Sequence, residues 1–329
     1  MAQYVMGIDV GTTGAKAIVF DSEGNVAGTG YKEYACEYPR PNWVEQDADM
    51  LRSAVLEVCA DAVNNAGLQD AGDIISVSVS AQRCCVLFID KDGNVLKMIS
   101  WLDNRADEEV DRLEKEVGAA RYYAITGMPL STVWILPKVM WVQKNEPELW
   151  KNTGKIVQLH DYIAHCLGAE DYYSDEPDSA FWGFWDTDKL SWHDDFLQTY
   201  DIRKDMLPEV RMPGTCIGRI SKNIARITGL SENTALCVGA GDQNCAAVGA
   251  GVVRPGMASV SIGTGGLATV FLPNAFRDPQ GKMMVTNSAV HGNWQLEGLQ
   301  NGAAGVLRWF RDEIGALDKR EAEEAGEDT

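Results

Sequence analysis

An aspartate set among small residues is the first candidate for chemistry in this sequence. Asp242 lies in Gly239-Ala240-Gly241-Asp242-Gln243-Asn244, where an apolar run ends and a small-residue helix, Cys245 to Gly251, is predicted to follow. A carboxylate held at such a strand end can accept a proton from an incoming hydroxyl group. An ordinary helix N-cap would look the same. The local sequence therefore leaves Asp242 open between a general base and a cap.

Two short turns of glycine and threonine are candidate phosphate sites. Gly11-Thr12-Thr13-Gly14 joins two apolar runs near the start, and Gly263-Thr264-Gly265-Gly266 joins another two. Glycines let the backbone approach a ligand closely, and threonine hydroxyls add donors beside the freed N–H groups. One such turn alone is best explained as a tight turn, but two copies could clamp a polyphosphate from either side. The repeat also predicts two related domains, residues 1–251 and 252–329.

Two charged residues flank the first turn. Asp9 ends an apolar strand, where a carboxylate is costly unless it binds a cation or N–H groups, so it is a candidate magnesium ligand or an Asx-turn residue. Lys16 is a candidate phosphate contact, although the absence of GxxxxGK[ST] excludes a Walker-type loop. The segment Gly263 to Ala268 matches the dinucleotide pattern GxGxx[GA]. A strand is predicted after it instead of the required helix, which disfavours an oxidoreductase.

Polar and aromatic side chains bracket a predicted hairpin, Val86 to Ile99. Forked donors, amides and a flat apolar face suit recognition of a polyol. In isolation, most of these residues would be solvated hairpin ends. The candidates for a sugar pocket are Gln82, Arg83, Trp101, Asp103, Asn104 and Arg105.

Composition excludes several classes of partner. The formal net charge of −19 disfavours nucleic acid and anionic lipid, so any phosphate site must be local. The eight cysteines form no CxxC pair, and we expect them to be reduced core thiols. The N-terminus enters an apolar strand without a basic flank, and no apolar run reaches the roughly 18 residues of a membrane span. We therefore expect a cytoplasmic protein.

The patterning predicts an α/β fold. A three-stranded antiparallel meander fills residues 5–34, and a helix follows with Asp47 or Asp49 as its N-cap and Gly67 just past its end. Ile74 to Ser80 is predicted to be a buried strand, with mostly helical chain from the hairpin to Leu167. The segment Asp171 to Trp192 is predicted to be a long packed loop, and the last residues a charged helix or tail.

The sequence resembles the FGGY carbohydrate kinases over essentially its whole length. The most specific segments are Gly7 to Gly14, Gly239 to Gln243, Gly251-Val252-Val253-Arg254-Pro255-Gly256 and Ser261 to Gly266. The resemblance implies an actin-like ATPase fold of two ribonuclease H-like domains with mixed sheets, the second incomplete within these residues. It also implies ATP and Mg²⁺, with the adenine pocket beyond residue 329. If Glu297 to Trp309 forms the usual inter-domain helix, its outer face is expected to expose apolar surface.

The resemblance also assigns roles. Asp242 would be the general base, taking the proton of a sugar hydroxyl as it attacks the γ-phosphoryl group, and Mg²⁺ would lie near Asp9 and Asp242. Gly11, Thr12, Thr13 and Lys16 would form the first phosphate site, and Gly263, Thr264 and Gly265 the second. The sugar pocket would contain Gln82, Arg83, Trp101, Asp103, Asp242 and Gln243.

The substrate is where the pattern departs from known members. Arg83-Cys84 matches neither the Met-His pair typical of xylulose kinases nor the Arg-Glu pair of glycerol kinases. Trp101-Leu102-Asp103-Asn104-Arg105 is similar to the Trp-x-Asp-x-Arg of pentulose and deoxysugar kinases. We expect a ketopentose such as xylulose, with glycerol or another polyol, gluconate, or another sugar derivative as alternatives. A non-catalytic sugar-binding homologue and a homodimer also remain open.

Overall fold

The computed structural model describes residues 3–262, 266–300 and 303–326. In chain order the strands are β1 (Tyr4–Val10), β2 (Gly14–Asp21), β3 (Val26–Glu33), β4 (Ile74–Ala81), β5 (Val86–Asp90), β6 (Val95–Ile99), β7 (Thr153–Gln158), β8 (Tyr173–Asp175), β9 (Trp185–Asp186), β10 (Ser191–Trp192), β11 (Glu209–Arg211), β12 (Cys216–Arg219), β13 (Ala235–Gly241), β14 (Ala258–Ile262), β15 (Gly266–Leu272), β16 (Met284–Asn287) and β17 (Trp294–Gln300).

The helices lie between these strands or after the last of them. They are α1 (Ala48–Ala66), α2 (Asp107–Glu116), α3 (Ala119–Thr126), α4 (Ile135–Asn145), α5 (Pro147–Asn152), α6 (Leu159–Leu167), α7 (Glu176–Ser179), α8 (Asp194–Thr199), α9 (Lys222–Thr228), α10 (Asp242–Gly249), α11 (Ala304–Glu313) and α12 (Ala316–Ala325), with 3₁₀ turns at Ala71–Asp73, Ala180–Trp182 and Lys204–Met206. No helix among the described residues combines the length and apolarity that a membrane crossing requires.

The largest sheet is mixed and six-stranded. Its order is β12-β13-β4-β1-β2-β3, in which β1, β2 and β3 form the predicted antiparallel meander while β4 runs parallel to β1 and β13 parallel to β4. Parallel strands end at the same edge of a sheet. The carboxyl ends of β1, β4 and β13, with the residues that follow them, therefore meet at one edge, which brings the first turn close to Asp242.

Helix α1 packs tightly on this sheet. The Asp47 side chain accepts hydrogen bonds from the N–H groups of residues 49 and 50, and Gly67 ends the helix in the left-handed conformation, as the sequence predicts. Close approach to β3 requires glycine there, because a Cβ on Gly28 or Gly30 would lie 2.3 or 2.2 Å from the carbonyl oxygens of Ala62 and Val58.

The residues after α10 belong to a different sheet. Four antiparallel strands pair in the order β14-β15-β17-β16. The β14–β15 hairpin repeats the β1–β2 hairpin, because each is an antiparallel pair joined through a glycine-threonine segment. The internal repeat is thus confirmed at the level of the hairpins. The division at residues 251 and 252 stays a prediction.

The segment from 171 to 192 is buried at the centre of a second core. It contains β8, α7, a 3₁₀ turn, β9 and β10, so it is less irregular than predicted, but it is packed as expected. Trp182, Trp185 and Trp192 are all buried, and Trp192 makes edge or tilted ring contacts with Trp182, Phe184 and Trp185. Phe181, which belongs to the same buried cluster, also lines the cleft described below.

Three predictions need correction. Strand β7 lies within the chain predicted to be mostly helical, and it is held by pairing with β5. Glu297 lies in β17, not in a helix, because β17 pairs with both β15 and β16. Cys216 is exposed, not a core thiol. The helix that follows β17 is α11, and Val306, Trp309 and Phe310 on it are exposed, so the expected uncovered apolar surface is confirmed.

Candidate functional site

A cleft of about 630 Å³ opens between the two sheets. Residues from the first sheet and its loops line one wall, and residues of the β14–β17 sheet line the other. Its walls include Thr12, Gln82, Arg83, Trp101, Asn104, Phe181, Asp242, Gln243, Lys282 and Glu297. The dimensions suit a small polar molecule flanked by an aromatic surface.

Asp242 lies at the junction of β13 and α10. Gly241 occupies the N-cap position, and Asp242 is the first helical residue, so the N-cap interpretation of Asp242 is wrong. Its Oδ1 accepts a hydrogen bond from the Gln243 N–H at 2.7 Å, and about a third of its side chain stays exposed to the cleft. Burial raises the pKa of the Asp242 carboxyl, while the Arg83 guanidinium opposes that shift. The carboxylate is therefore placed to take a proton from a molecule in the cleft.

Arg83 joins the two walls. Its Nη1 and Nη2 donate to Oε1 and Oε2 of Glu297 at 2.8 and 2.9 Å, and its Nε lies 3.6 Å from Oδ1 of Asp242. The guanidinium also stacks over the Phe181 ring at 4.3 Å. Gln295 Nε2 donates to Glu297 as well. Arg83 thus lines the cleft as predicted, but its guanidinium group is bound by the Glu297 carboxylate of the β14–β17 sheet.

A ring of hydrogen bonds connects the first turn to the predicted sugar pocket. Thr12 Oγ1 donates to Gln82 Oε1 at 3.0 Å and accepts from Trp101 Nε1 at 2.9 Å. Gln82 Nε2 donates a hydrogen bond to Gln46 Oε1, and Gln46 Nε2 donates one to the carbonyl oxygen of Thr12. The Tyr34 hydroxyl donates a hydrogen bond to the carbonyl oxygen of Gly11 in the same turn. The turn and the pocket are therefore one rigid unit.

Asp9 lies at the end of β1 beside this unit. Its Oδ1 accepts from Ser80 Oγ at 3.3 Å, and Lys16 is its partner across the β1–β2 pair. Partial burial raises the pKa of Asp9, and the negative charge of Asp242 raises it further. A carboxylate whose proton affinity is raised by a neighbouring carboxylate belongs to a donor set that a divalent cation would neutralise. The residues present therefore fit Mg²⁺, with Asp9 and Asp242 as the groups that would hold it.

The structure places two predicted pocket residues, Asp103 and Arg105, outside the cleft. Asp103 is fully buried and does not line the cleft. Its Oδ2 accepts from the Val44 N–H at 2.6 Å, and both oxygens bind the Arg105 guanidinium, which stacks on Trp43 at 4.0 Å. Asp103 and Arg105 are thus a structural ion pair, and Asn104 between them faces the cleft. Gly263, Thr264 and Gly265 lie outside the described residues.

Sequence patterns do not identify Glu297, Phe181 and Lys282 as cleft residues, nor Gln46, which supports the Thr12–Gln82 unit. Glu297 is predicted to lie in a helix and Phe181 in a loop. In Trp294-Gln295-Leu296-Glu297, apolar and polar residues alternate. This period of two predicts a strand and would have placed Glu297 correctly. Nothing local marks Phe181 or Gln46, because their partners are distant in sequence.

Gly241 is a point where the site tolerates no side chain. A Cβ there would lie 2.5 Å from Cδ of Arg83 and 2.7 Å from Oδ1 of Asp178. We expect Gly241→Ala to displace Arg83, to lower the free energy of unfolding by about 1–3 kcal/mol and to weaken ligand binding in the cleft. Denaturant unfolding and calorimetry measure both. Gly249→Ala in the same helix has open space at its Cβ and is the control, expected to be neutral or stabilising. An unchanged Gly241→Ala protein would contradict the packing.

Comparison with known proteins decides the family. The FGGY family of carbohydrate kinases, N-terminal domain, matches residues 4–249. The chain belongs to this family. Its α/β fold is accordingly the actin-like, ribonuclease H-like fold of FGGY kinases. The structure of xylulose kinase from Rhodospirillum rubrum superposes with a TM-score of 0.91 at 24% identity, covering 98% of this chain and 66% of that one.

Curated relatives cover several substrates. The chain is 28% identical over 331 residues to a glycerol kinase of Leifsonia xyli subsp. xyli, covering 96% of this chain and 64% of the relative. It is 28% identical over 316 residues to a xylulose kinase of Lactococcus lactis subsp. lactis, covering 95% and 62%. Other relatives are named autoinducer-2 kinase and gluconokinase. The chain thus spans 62–64% of the length of these two curated relatives.

Proposed function

We propose that this FGGY chain carries the sugar pocket and the general base of an ATP-dependent kinase for a small linear sugar. The observation that carries the proposal is the position of Asp242. Its partly exposed carboxylate faces a cleft that also contains the Thr12–Gln82–Trp101 unit and Arg83. Family membership supports phosphoryl transfer as the reaction.

The residues divide the chemistry between them. Asp242 takes the proton from the sugar hydroxyl as that oxygen attacks the γ-phosphoryl group of ATP, and the elevated pKa of Asp242 improves its match to this task. Gly11, Thr12, Thr13 and Lys16 bind phosphate oxygens on one side of the transferred group, and Gly263, Thr264 and Gly265 on the other. Mg²⁺, when bound by Asp9 and Asp242, supplies charge neutralisation for the phosphates.

A ketopentose such as xylulose is the first substrate candidate. The cleft offers Gln82, Asn104 and Gln243 as amide partners for hydroxyl groups, and Trp101 and Phe181 as flat apolar surface. These are the groups that a neutral linear sugar requires. A relative named xylulose kinase supports this assignment.

A sugar acid such as gluconate is the second candidate. Lys282 lines the cleft on the wall opposite Asp242, and it adds a positive charge that a carboxylate-bearing sugar can use. A relative named gluconokinase also matches. Glycerol carries no charge that Lys282 could pair with.

A screen of ADP release against xylulose, gluconate, glycerol and a deoxysugar tests both candidates. We expect xylulose to give the highest rate. If gluconate prevails, Lys282→Met should lower its rate at least about tenfold, as expected for a lost charge-assisted contact, while Lys151→Met on the surface of α5 changes nothing. Sugar binding without any ADP release would contradict the kinase proposal and favour a non-catalytic sugar-binding homologue.

A further inference from the structure

A buried cluster of one histidine and three aspartates lies behind the catalytic segment. His160 is on α6 with Asp161, Asp175 ends β8, and Asp178 is on α7. All four side chains are almost fully buried. The reaction proposed above uses none of them.

The carboxylates surround both edges of the imidazole ring. His160 Nε2 lies 2.9 Å from Oδ1 of Asp161 and 2.9 Å from Oδ2 of Asp175, and His160 Nδ1 lies 3.4 Å from Oδ2 of Asp178. Asp161 and Asp175 use their other oxygens for backbone N–H groups, at residues 158 and 178 respectively. Each of these two aspartates thus bridges a helix start to the ring.

These distances favour a doubly protonated ring that is held by ion pairing, since among the described residues neither ring nitrogen makes a well-aligned hydrogen bond. A neutral imidazole has one N–H and one lone pair, so it would point a lone pair at a carboxylate. A single metal ion would bind one ring nitrogen, whereas carboxylates approach both. Burial on its own lowers the pKa of His160, but Asp161 and Asp175 outweigh it and raise that pKa well above its usual value.

The cluster touches the active site through Asp178. Oδ1 of Asp178 packs against the backbone of Gly241, the residue before Asp242. Gln158 ties the same segment to the pocket, because it donates to the Asp178 carbonyl and accepts from the Cys84 N–H, next to Arg83. Among the residues that the structure describes, no well-aligned hydrogen-bond donor satisfies either oxygen of Asp178. Burial and the nearby carboxylates of Asp175 and Asp161 raise the pKa of Asp178, and His160 and Arg83 are the positive charges that oppose this shift and favour the carboxylate.

We propose that His160 is a permanently protonated positioning residue, whose charge holds Asp178 in place and so prevents it from drawing Arg83 away from Asp242 and Glu297. The charge state follows from the cluster alone. The effect on turnover rests on the function proposed above.

The ring's charge can be measured directly. With ¹⁵N-labelled histidine, NMR of the wild-type chain should show one of its four histidines with both nitrogens still protonated at pH values well above the usual histidine pKa of about 6.5. His160→Lys should remove that signal. His291→Gln, which removes an exposed 2.9 Å contact with Glu176, is the matched control and should retain it. A neutral ring at pH 7.5, or stoichiometric bound metal that is lost in His160→Gln, would overturn the proposal.

Folding stability should follow the same charge. The unfolded histidine loses its proton near pH 6.5 while the folded one keeps it, so the unfolding equilibrium constant should rise about tenfold per pH unit above that value. Lysine stays protonated in both the folded and the unfolded state. His160→Lys should therefore lose the contribution of residue 160 to the pH dependence of the unfolding equilibrium constant. The other groups facing the cluster are Cys84, Cys85, Cys245 and Arg83, and none of them is replaced in this comparison. An unchanged slope in His160→Lys would contradict a charged His160.

Restoring a positive charge at residue 160 distinguishes a positioning role of that charge from a role in packing alone. We expect His160→Gln to lower kcat/KM for the sugar about 10- to 100-fold through misplacement of Arg83 and Asp242, and His160→Lys to restore most of it. Equal activity in all three proteins, or an equally poor His160→Lys, would overturn the positioning role. If the wild type releases no ADP, the proposed function fails, but the NMR and stability results still decide the charge. If His160→Gln does not fold, wild-type NMR and His160→Lys still test the proposal.

Discussion

Asp242→Asn is expected to lower the turnover number by about 10²- to 10⁴-fold, the range that a general base contributes. Asparagine keeps the size of the side chain, but it cannot accept the hydroxyl proton. Because Asp242 caps no helix, the start of α10 should survive the change. Steady-state ADP release measures the rate, and calorimetry measures sugar affinity, which should change by less than about tenfold.

The control for this substitution is another aspartate outside the site. Asp61→Asn on the exposed face of α1 removes the same charge far from the cleft and should leave turnover unchanged. A large loss in both variants would point to a general effect of charge or stability. Wild-type turnover in Asp242→Asn would exclude Asp242 as the base.

Arg83→Met is expected to have the largest effect on stability, about 3–5 kcal/mol, because it leaves the carboxylate of Glu297 buried without its partner. The Glu297 side chain is 0% exposed, and that of Arg83 is 12% exposed. Replacing both residues in Arg83→Met/Glu297→Met removes the uncompensated charge. The double variant should therefore recover much of the lost free energy of unfolding, although sugar binding stays weak.

A surface ion pair provides the matched control. Lys32 and Glu57 are also 2.9 Å apart, but their side chains are 46% and 52% exposed. Lys32→Met should cost under about 1 kcal/mol. Denaturant unfolding of these variants, together with Glu297→Met, completes the double-mutant cycle. If Arg83→Met and Lys32→Met cost the same, the Arg83–Glu297 contact does not join the two walls of the cleft.

Short sequence patterns were sufficient to predict the elements that neighbouring residues determine. The β1–β2–β3 meander, α1 with its Asp47 and Gly67 ends, and the β5–β6 hairpin each depend on periodicity, a cap or a tight turn. Strand β7 was missed because it is held by pairing with β5, more than 60 residues earlier in the chain. Such pairing leaves no signal in a short window.

In the candidate site too, residues marked by local motifs were predicted, whereas contacts between distant segments were not. Asp9, Thr12, Gln82, Arg83 and Asp242 were found from motifs and family resemblance, and the strand order brings them to one sheet edge. Asp103 was predicted to lie in the sugar pocket because it is part of the Trp101 to Arg105 segment beside the hairpin, while the fold buries it against Arg105 and Val44. Glu297 and His160 depend on partners from distant segments, so only the three-dimensional arrangement reveals their contacts.

Transfer of the γ-phosphoryl group to the sugar is the most direct test of the central claim. Wild-type protein is incubated with ATP labelled at the γ-phosphate and with xylulose, and the sugar phosphate is separated and counted. We predict labelled xylulose phosphate from the wild type and at least about 100-fold less from Asp242→Asn. Label released only as inorganic phosphate, or equal amounts of sugar phosphate from both proteins, would contradict Asp242 as the base of a sugar kinase.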